Sequence, residues 1–239
     1  MHAALEAAGY RTPTPIQAET IEATLAGRDV IGTAQTGTGK TAAFMIPIVE
    51  RLRTAAGTDG YGSALILAPT RELAEQTHQW ALRLGCGLRA ALVVGGVAYG
   101  PQISALRGQP SIIVATPGRL VDHLERRTLT LKDVRILVLD EADRMLDMGF
   151  KPQVDRIMRA LPALPTPRQT LLFSATLPPD LGTLARMHLR NPVRVDVGRL
   201  AVPPRHATQE SSTRLTPRVL SCAPRVKWIR PSRASISIG

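Results

Sequence analysis

From about Asp29 to Val195, short β-branched apolar runs alternate with longer segments of helical period. The runs Asp29–Gly32, Ala64–Ala68, Ala90–Val94, Ile112–Ala115, Ile136–Leu139 and Thr170–Phe173 are nearly continuous in Ala, Val, Ile and Leu. That is the pattern of strands buried on both faces. Between them, Lys40–Arg53, Arg71–Leu84, Pro117–Arg126 and Lys151–Ala160 carry helical spacing, and each is long enough to cross over from one parallel strand to the next. The alternation predicts an α/β domain: an open, mostly parallel sheet with helices on both faces. After about Leu200 the alternation stops, and Pro203, Pro204, Pro217, Pro224 and Pro231 interrupt any regular element. A domain boundary near residue 200 and an unstructured tail over residues 201–239 are therefore expected. No internal repeat is visible.

Composition changes this picture little. The hydrophobic share of 44% with 21% charge suits a globular protein. No apolar run approaches the roughly 18 residues of a membrane helix, and Met1–Glu6 has no basic, apolar, small-residue signal, so a cytoplasmic setting is expected. Cys86 and Cys222 stand apart without metal-ligand spacing, which excludes a zinc site or a disulfide framework as the organising principle. The formal charge of +11 suggests a polyanionic partner, but seven basic side chains against Glu210 place +6 of it in the tail.

Two motifs carry the chemistry. Ala34-Gln35-Thr36-Gly37-Thr38-Gly39-Lys40-Thr41 follows the first strand and opens a helix, where backbone N–H groups and the helix dipole receive phosphate. Glycines let the main chain approach phosphate oxygens, Lys40 reaches the β- and γ-phosphates, and Thr41 offers a hydroxyl to Mg²⁺. Asp140-Glu141-Ala142-Asp143 follows the strand Ile136–Leu139, so its carboxylates emerge at a strand's carboxyl end, where open α/β sheets bind ligands. One acid there can hold the Mg²⁺, while a neighbouring carboxylate can orient and deprotonate a water. A Gly-rich turn and a solvated helix-capping acid are the bland alternatives.

With these two motifs in order, the chain resembles the DEAD-box helicase family, RecA-like P-loop NTPases that use ATP and Mg²⁺ to remodel RNA. The string Val138–Phe150 around the acidic motif resembles bacterial members. Gly9-Tyr10-Arg11-Thr12-Pro13-Thr14-Pro15-Ile16-Gln17 is similar to the family's Q motif, which implies adenine reading by Gln17, packing by Tyr10 and a nucleotide contact by Arg11. Pro69-Thr70-Arg71, Gly95-Gly96 and Thr116-Pro117-Gly118-Arg119 match motifs that grip the RNA backbone; Thr70 and Thr116 also read as helix N-caps. Ser174-Ala175-Thr176 matches the motif that couples hydrolysis to strand separation, with Asp143 as its expected partner. The catalytic set implied is thus Lys40, Asp140, Glu141, Asp143, Ser174 and Thr176.

The resemblance divides the chain into a Q-motif region (1–17), a first RecA-like domain (18–200) and the tail. No counterpart to the family's second domain, whose arginines act on the γ-phosphate, is recognisable. An arginine finger contributes about 10³–10⁵ in rate, so the expectation is an ATP-dependent RNA helicase domain that hydrolyses ATP slowly by itself. A non-enzymatic ATP- and RNA-binding module, another P-loop ATPase and a truncated gene product are the alternatives.

Overall fold

Seven strands and eight helices alternate through the residues that the computed structural model describes, which are 12–35, 37–54, 63–85, 87–161 and 168–197. Tyr10, Arg11, Thr36, both cysteines and the 201–239 tail lie outside them. The order is α1 (Pro15–Leu25), β1 (Val30–Ala34), α2 (Lys40–Thr54), β2 (Ser63–Leu67), α3 (Arg71–Leu84), β3 (Ala90–Val93), α4 (Tyr99–Arg107) and β4 (Ile112–Ala115). It continues with α5 (Pro117–Glu125), β5 (Val134–Leu139), α6 (Ala142–Asp147), α7 (Lys151–Ala160), β6 (Gln169–Ser174), α8 (Pro179–His188) and β7 (Val193–Val197).

The strands form one sheet in the order β3-β4-β2-β5-β6-β1-β7, and every pairing is parallel. Successive strand residues point to opposite faces, so the sheet divides its apolar side chains between two cores. Val30, Ala64, Ile66, Ile136, Val138, Leu171 and Phe173 pack with α1, α2 and α3. Ile31, Leu65, Leu67, Leu137, Leu139 and Leu172 pack with α5, α6, α7 and α8. Each such Leu, Ile or Val, fully buried, contributes about 1.5–3 kcal/mol relative to exposure. Among the described residues no helix is long and apolar enough to cross a membrane.

Two local features hold the β1 corner in place. A Cβ built on Gly32 would stand 2.7 Å from the Phe173 ring, so only glycine lets this ring, itself packed at 5.2 Å on Phe44, lie against β1. Asp29, expected to start the strand, instead precedes it. Its buried carboxylate accepts the Thr170 N–H at 2.7 Å and the Arg190 N–H at 2.6 Å, fastening the beginnings of β1, β6 and β7 together.

Candidate functional site

Since all strands run the same way, their carboxyl ends share one edge, and the strand order sorts the motifs along it. Gly95-Gly96 follows β3, Thr116–Arg119 follows β4 and Pro69–Arg71 follows β2. Asp140–Asp143 follows β5, Ser174–Thr176 closes β6 and Ala34–Thr41 follows β1. The residues expected to meet RNA thus occupy one half of the edge and those expected to meet nucleotide the other.

In the nucleotide half, β1 extends to Ala34 and α2 opens at Lys40, leaving a short loop with Gly37 at φ +87° and Gly39 at φ +90°. These left-handed conformations suit glycine alone. Thr38 Oγ1 donates to the Gln35 carbonyl at 2.8 Å. Lys40 is buried, and its Nζ donates to the Ala34 carbonyl across the loop at 2.8 Å. Thr41, the second residue of α2, is half-buried. Gln17 is buried and reaches the same loop: its Nε2 donates to the Gly39 carbonyl at 3.2 Å, while its Oε1 accepts the Thr14 N–H at 3.0 Å. Thr14 Oγ1 donates to the Thr38 carbonyl at 3.1 Å. The Q-motif helix therefore grips the phosphate loop through two side chains, and Thr14 is a member that sequence reasoning left out. Its signal was present, because Thr14 and Gln17 have capping-box spacing.

On β5, Asp140 is buried at the strand's end and accepts the Glu141 N–H at 3.0 Å. Burial pushes its carboxyl up to about 6, with Lys40 pulling it down and Glu141 adding to the rise. Glu141 has φ 49° and ψ 50°, a left-handed conformation rare outside glycine. Such strain persists where surrounding structure imposes it and concentrates at functional sites. Here it turns the chain sharply from strand into α6, and Arg144 Nη1 holds Glu141 Oε2 at 3.3 Å. Arg144 was not singled out in the sequence, although its i,i+3 spacing from Glu141 is legible.

Asp143 and the Ser174–Thr176 segment meet across the β5–β6 junction. Asp143 Oδ2 accepts the Ala175 N–H at 3.1 Å and both the N–H and hydroxyl of Thr176 at 2.9 Å. Ser174 Oγ accepts the Asp143 N–H at 3.3 Å and donates to the Thr176 carbonyl at 2.6 Å. Partial burial alone would raise the Asp143 carboxyl, but hydrogen bonds from Ser174, Thr176 and the Arg144 N–H outweigh it and hold the group below the usual carboxylate value.

In the other half, Pro69 is buried and Thr70 caps α3, its Oγ1 accepting the Leu73 N–H at 3.3 Å. Arg71 is exposed beside Glu75, 2.7 Å away. Gly95 and Gly96 are exposed, and Gly96 has φ +74°. Thr116 stands at the N-cap of α5 without a side-chain capping bond, Pro117 follows it and is buried, and Gly118 is half-buried. Arg119 is turned inward. Its Nη1 donates to the Val97 carbonyl at 2.7 Å, its Cζ lies 4.2 Å from the centre of the Tyr99 ring, and 11% of its side chain is exposed.

The donor sets fit their ligands. A glycine-shaped loop with a buried lysine suits a polyphosphate. Asp140, its carboxyl at a strand's end and raised to about 6 by burial, suits a divalent cation. Among the described residues no group of three or more His, Cys, Asp or Glu gathers into a metal cage.

An all-parallel sheet with a phosphate loop, a carboxylate pair and a coupling segment on adjoining strands defines a RecA-like nucleotide-binding domain. The family model for DEAD/DEAH box helicases matches residues 14–184, and the chain belongs to that family. The ATP-dependent rRNA helicase rrp3 of Emericella nidulans is 50% identical over 197 residues, 81% of this chain and 41% of that protein. The DEAD-box ATP-dependent RNA helicase CshA of Bacillus licheniformis is 47% identical over 196 residues, 81% of this chain and 39% of that protein. A crystal structure of a DEAD box protein from Methanococcus jannaschii superposes with a TM-score of 0.74 at 38% identity, covering 81% of this chain and 52% of that one. The chain thus spans about two-fifths of the length of these curated relatives.

Proposed function

We infer that this chain is the ATP-binding motor domain of an RNA helicase, binding ATP at the β5–β6–β1 half of its edge and the RNA backbone at the β3–β4–β2 half. The observation that carries this reading is the strand order, which separates two ligand-shaped sets, with Asp143 and Thr176 bonded across the β5–β6 junction of the nucleotide half.

Lys40 would exchange its bond to the Ala34 carbonyl for β- and γ-phosphate oxygens, a charge-assisted and stronger pairing. Mg²⁺, held through Asp140 and Thr41 and partly through water, would neutralise charge on the phosphates. Glu141, placed by its left-handed backbone and by Arg144, would accept the proton of the attacking water. Gln17 and Tyr10 would serve the base, Arg11 would contact the nucleotide, and Gln35 to Thr38 would meet the phosphates. Exposed Arg71, the Gly95-Gly96 turn and Thr116 to Gly118 would hold RNA phosphates without reading sequence. Phosphoryl transfer depends on positioning and on stabilising charge.

Steady-state ATPase of residues 1–239 with Mg²⁺, with and without single-stranded RNA, tests the reading beside a Lys40→Ala control. RNA-stimulated turnover, or nucleotide binding with little turnover, lost in the control supports it. Neither nucleotide nor RNA binding by the folded chain would overturn it.

A further inference from the structure

Beneath the exposed Gly95-Gly96 turn lies a set of polar contacts that the nucleotide and RNA motifs leave unused. Gln102, on α4, is 4% exposed. Its Oε1 accepts the Val94 N–H at 3.2 Å, and its Nε2 donates to the carbonyls of Val94, Val97 and Ala98 at 3.1, 3.3 and 3.3 Å. An amide has two N–H groups, so one is shared between carbonyls. Arg119 adds a second donor to the Val97 carbonyl at 2.7 Å. Tyr99 anchors that guanidinium, with its ring 4.2 Å away and its Oη donating to Asp122 Oδ2 at 3.1 Å. Asp122 Oδ2 lies 3.7 Å from Arg119 Nε.

We propose that Gln102 and Arg119 are positioning residues for the RNA backbone. They hold the carbonyls around the Gly95-Gly96 turn inward, so that the exposed turn presents an anion with few repelling oxygens, and Arg119 acts through the turn rather than on a phosphate. This rests on the RNA reading given above. Open space around a Cβ at Gly95, with nothing within 4 Å, leaves room for a strand to approach. Arg71 is the contrasting case: its guanidinium is exposed, and its Nη1 lies 3.5 Å from a Cβ built on Gly96. On this arrangement Arg71 meets phosphate directly and Arg119 does not. The sequence could not separate them, because each is an arginine closing a short motif after a strand.

The two roles differ in their salt dependence. Each lysine or arginine contact to a phosphate releases a counterion and contributes about 0.7 to the slope of log affinity against log salt for single strands, whereas neutral main-chain donors release none. The experiment measures binding of a labelled oligouridine to the whole chain across a salt series, for the wild type and Arg71→Ala, Arg119→Ala, Arg119→Lys and Gln102→Glu. Amide hydrogen exchange over residues 94–98 is followed in each. The expected result is a slope reduced by about 0.7 for Arg71→Ala alone. Both Arg119 variants and Gln102→Glu should weaken binding several-fold at unchanged slope and speed exchange at 94–98. A slope loss in Arg119→Ala equal to that of Arg71→Ala, or unchanged exchange, overturns the proposal. If the wild type binds no RNA, the RNA reading fails, while exchange still decides whether Gln102 and Arg119 hold the turn.

Discussion

Asp143 Oδ2 accepts the main-chain N–H and the side-chain hydroxyl of Thr176 together, each at 2.9 Å, joining the end of β5 to the end of β6. A neighbouring pair of strands is thereby clasped within the nucleotide half, one strand in from where β5 adjoins β2 of the RNA half. The native Asp143 carboxyl lies below its usual value, because hydrogen bonds from Ser174 and Thr176 outweigh the upward push of burial. A depressed native value stabilises the fold above the unfolded value of about 3.9 and loses that stabilisation as pH falls through the native value. Asp143→Asn should therefore be less stable than wild type at pH 7, by about 0.5–2 kcal/mol, with the gap closing as pH falls below 4. Urea denaturation of both proteins across pH 7 to 3 measures it; a constant gap would mean that the charge contributes nothing.

Asp140 has the opposite sign. Its native value of about 6 lies above the unfolded one, so its contribution to stability is present at low pH and is lost as pH rises through 6. Asp140→Asn removes the ionisation, and the amide oxygen can still accept the Glu141 N–H. In chelator and without nucleotide, the variant should be more stable than wild type at pH 8, by on the order of 1–3 kcal/mol, with the gap about halved at pH 5 and closed below about pH 4. Thermal melts over that range are the check, and a difference independent of pH would refute the origin given. The same variant should lose ATP hydrolysis.

Gly32→Ala places a methyl 2.7 Å from Phe173 ring carbons in a fully packed core. Overpacking of this kind costs about 1–3 kcal/mol. Adding Phe173→Leu should recover part of the loss in chemical denaturation, and no recovery would place the damage elsewhere in β1.

Gly39→Ala carries two faults: φ +90° and a Cβ 2.4 Å from Gln17 Nε2. The left-handed backbone alone costs an alanine about 1–2 kcal/mol. Titration with a fluorescent nucleotide should show affinity down about tenfold or more. Unchanged affinity would show that the loop tolerates both faults.

Much of this fold is legible because a parallel sheet buries its strands on both sides. β4, Ile112–Ala115, is wholly apolar and wholly buried, and its expected limits match those observed. β7 escaped because it is the edge strand: in Val193–Val197 the exposed Arg194 and Asp196 break the apolar run. α1 escaped because it packs through Thr20, Thr24 and Gln17 as much as through Ile16 and Ala23. α4 escaped because Gly100 and Pro101 in its first turn read as a loop. The nucleotide motifs are short and contiguous, so they show in sequence. The clasp of Asp143 on Thr176 was legible only through the family resemblance, and the Gln102 contacts depend on side-chain direction, which spacing does not encode.

In the sheet, β1 has two neighbours, β6 and β7. The phosphate loop thus leaves a ribosome well ahead of the acidic and coupling motifs, yet its strand has no sheet neighbour until the chain has been made through Ser174. Synthesis proceeds at about 5–20 residues per second, so for many seconds a nascent chain carries Lys40 and its glycines with no sheet to hang them on. Competence for ATP is gained late and all at once, and a chain ending before β6 would carry the whole phosphate-loop sequence and no site.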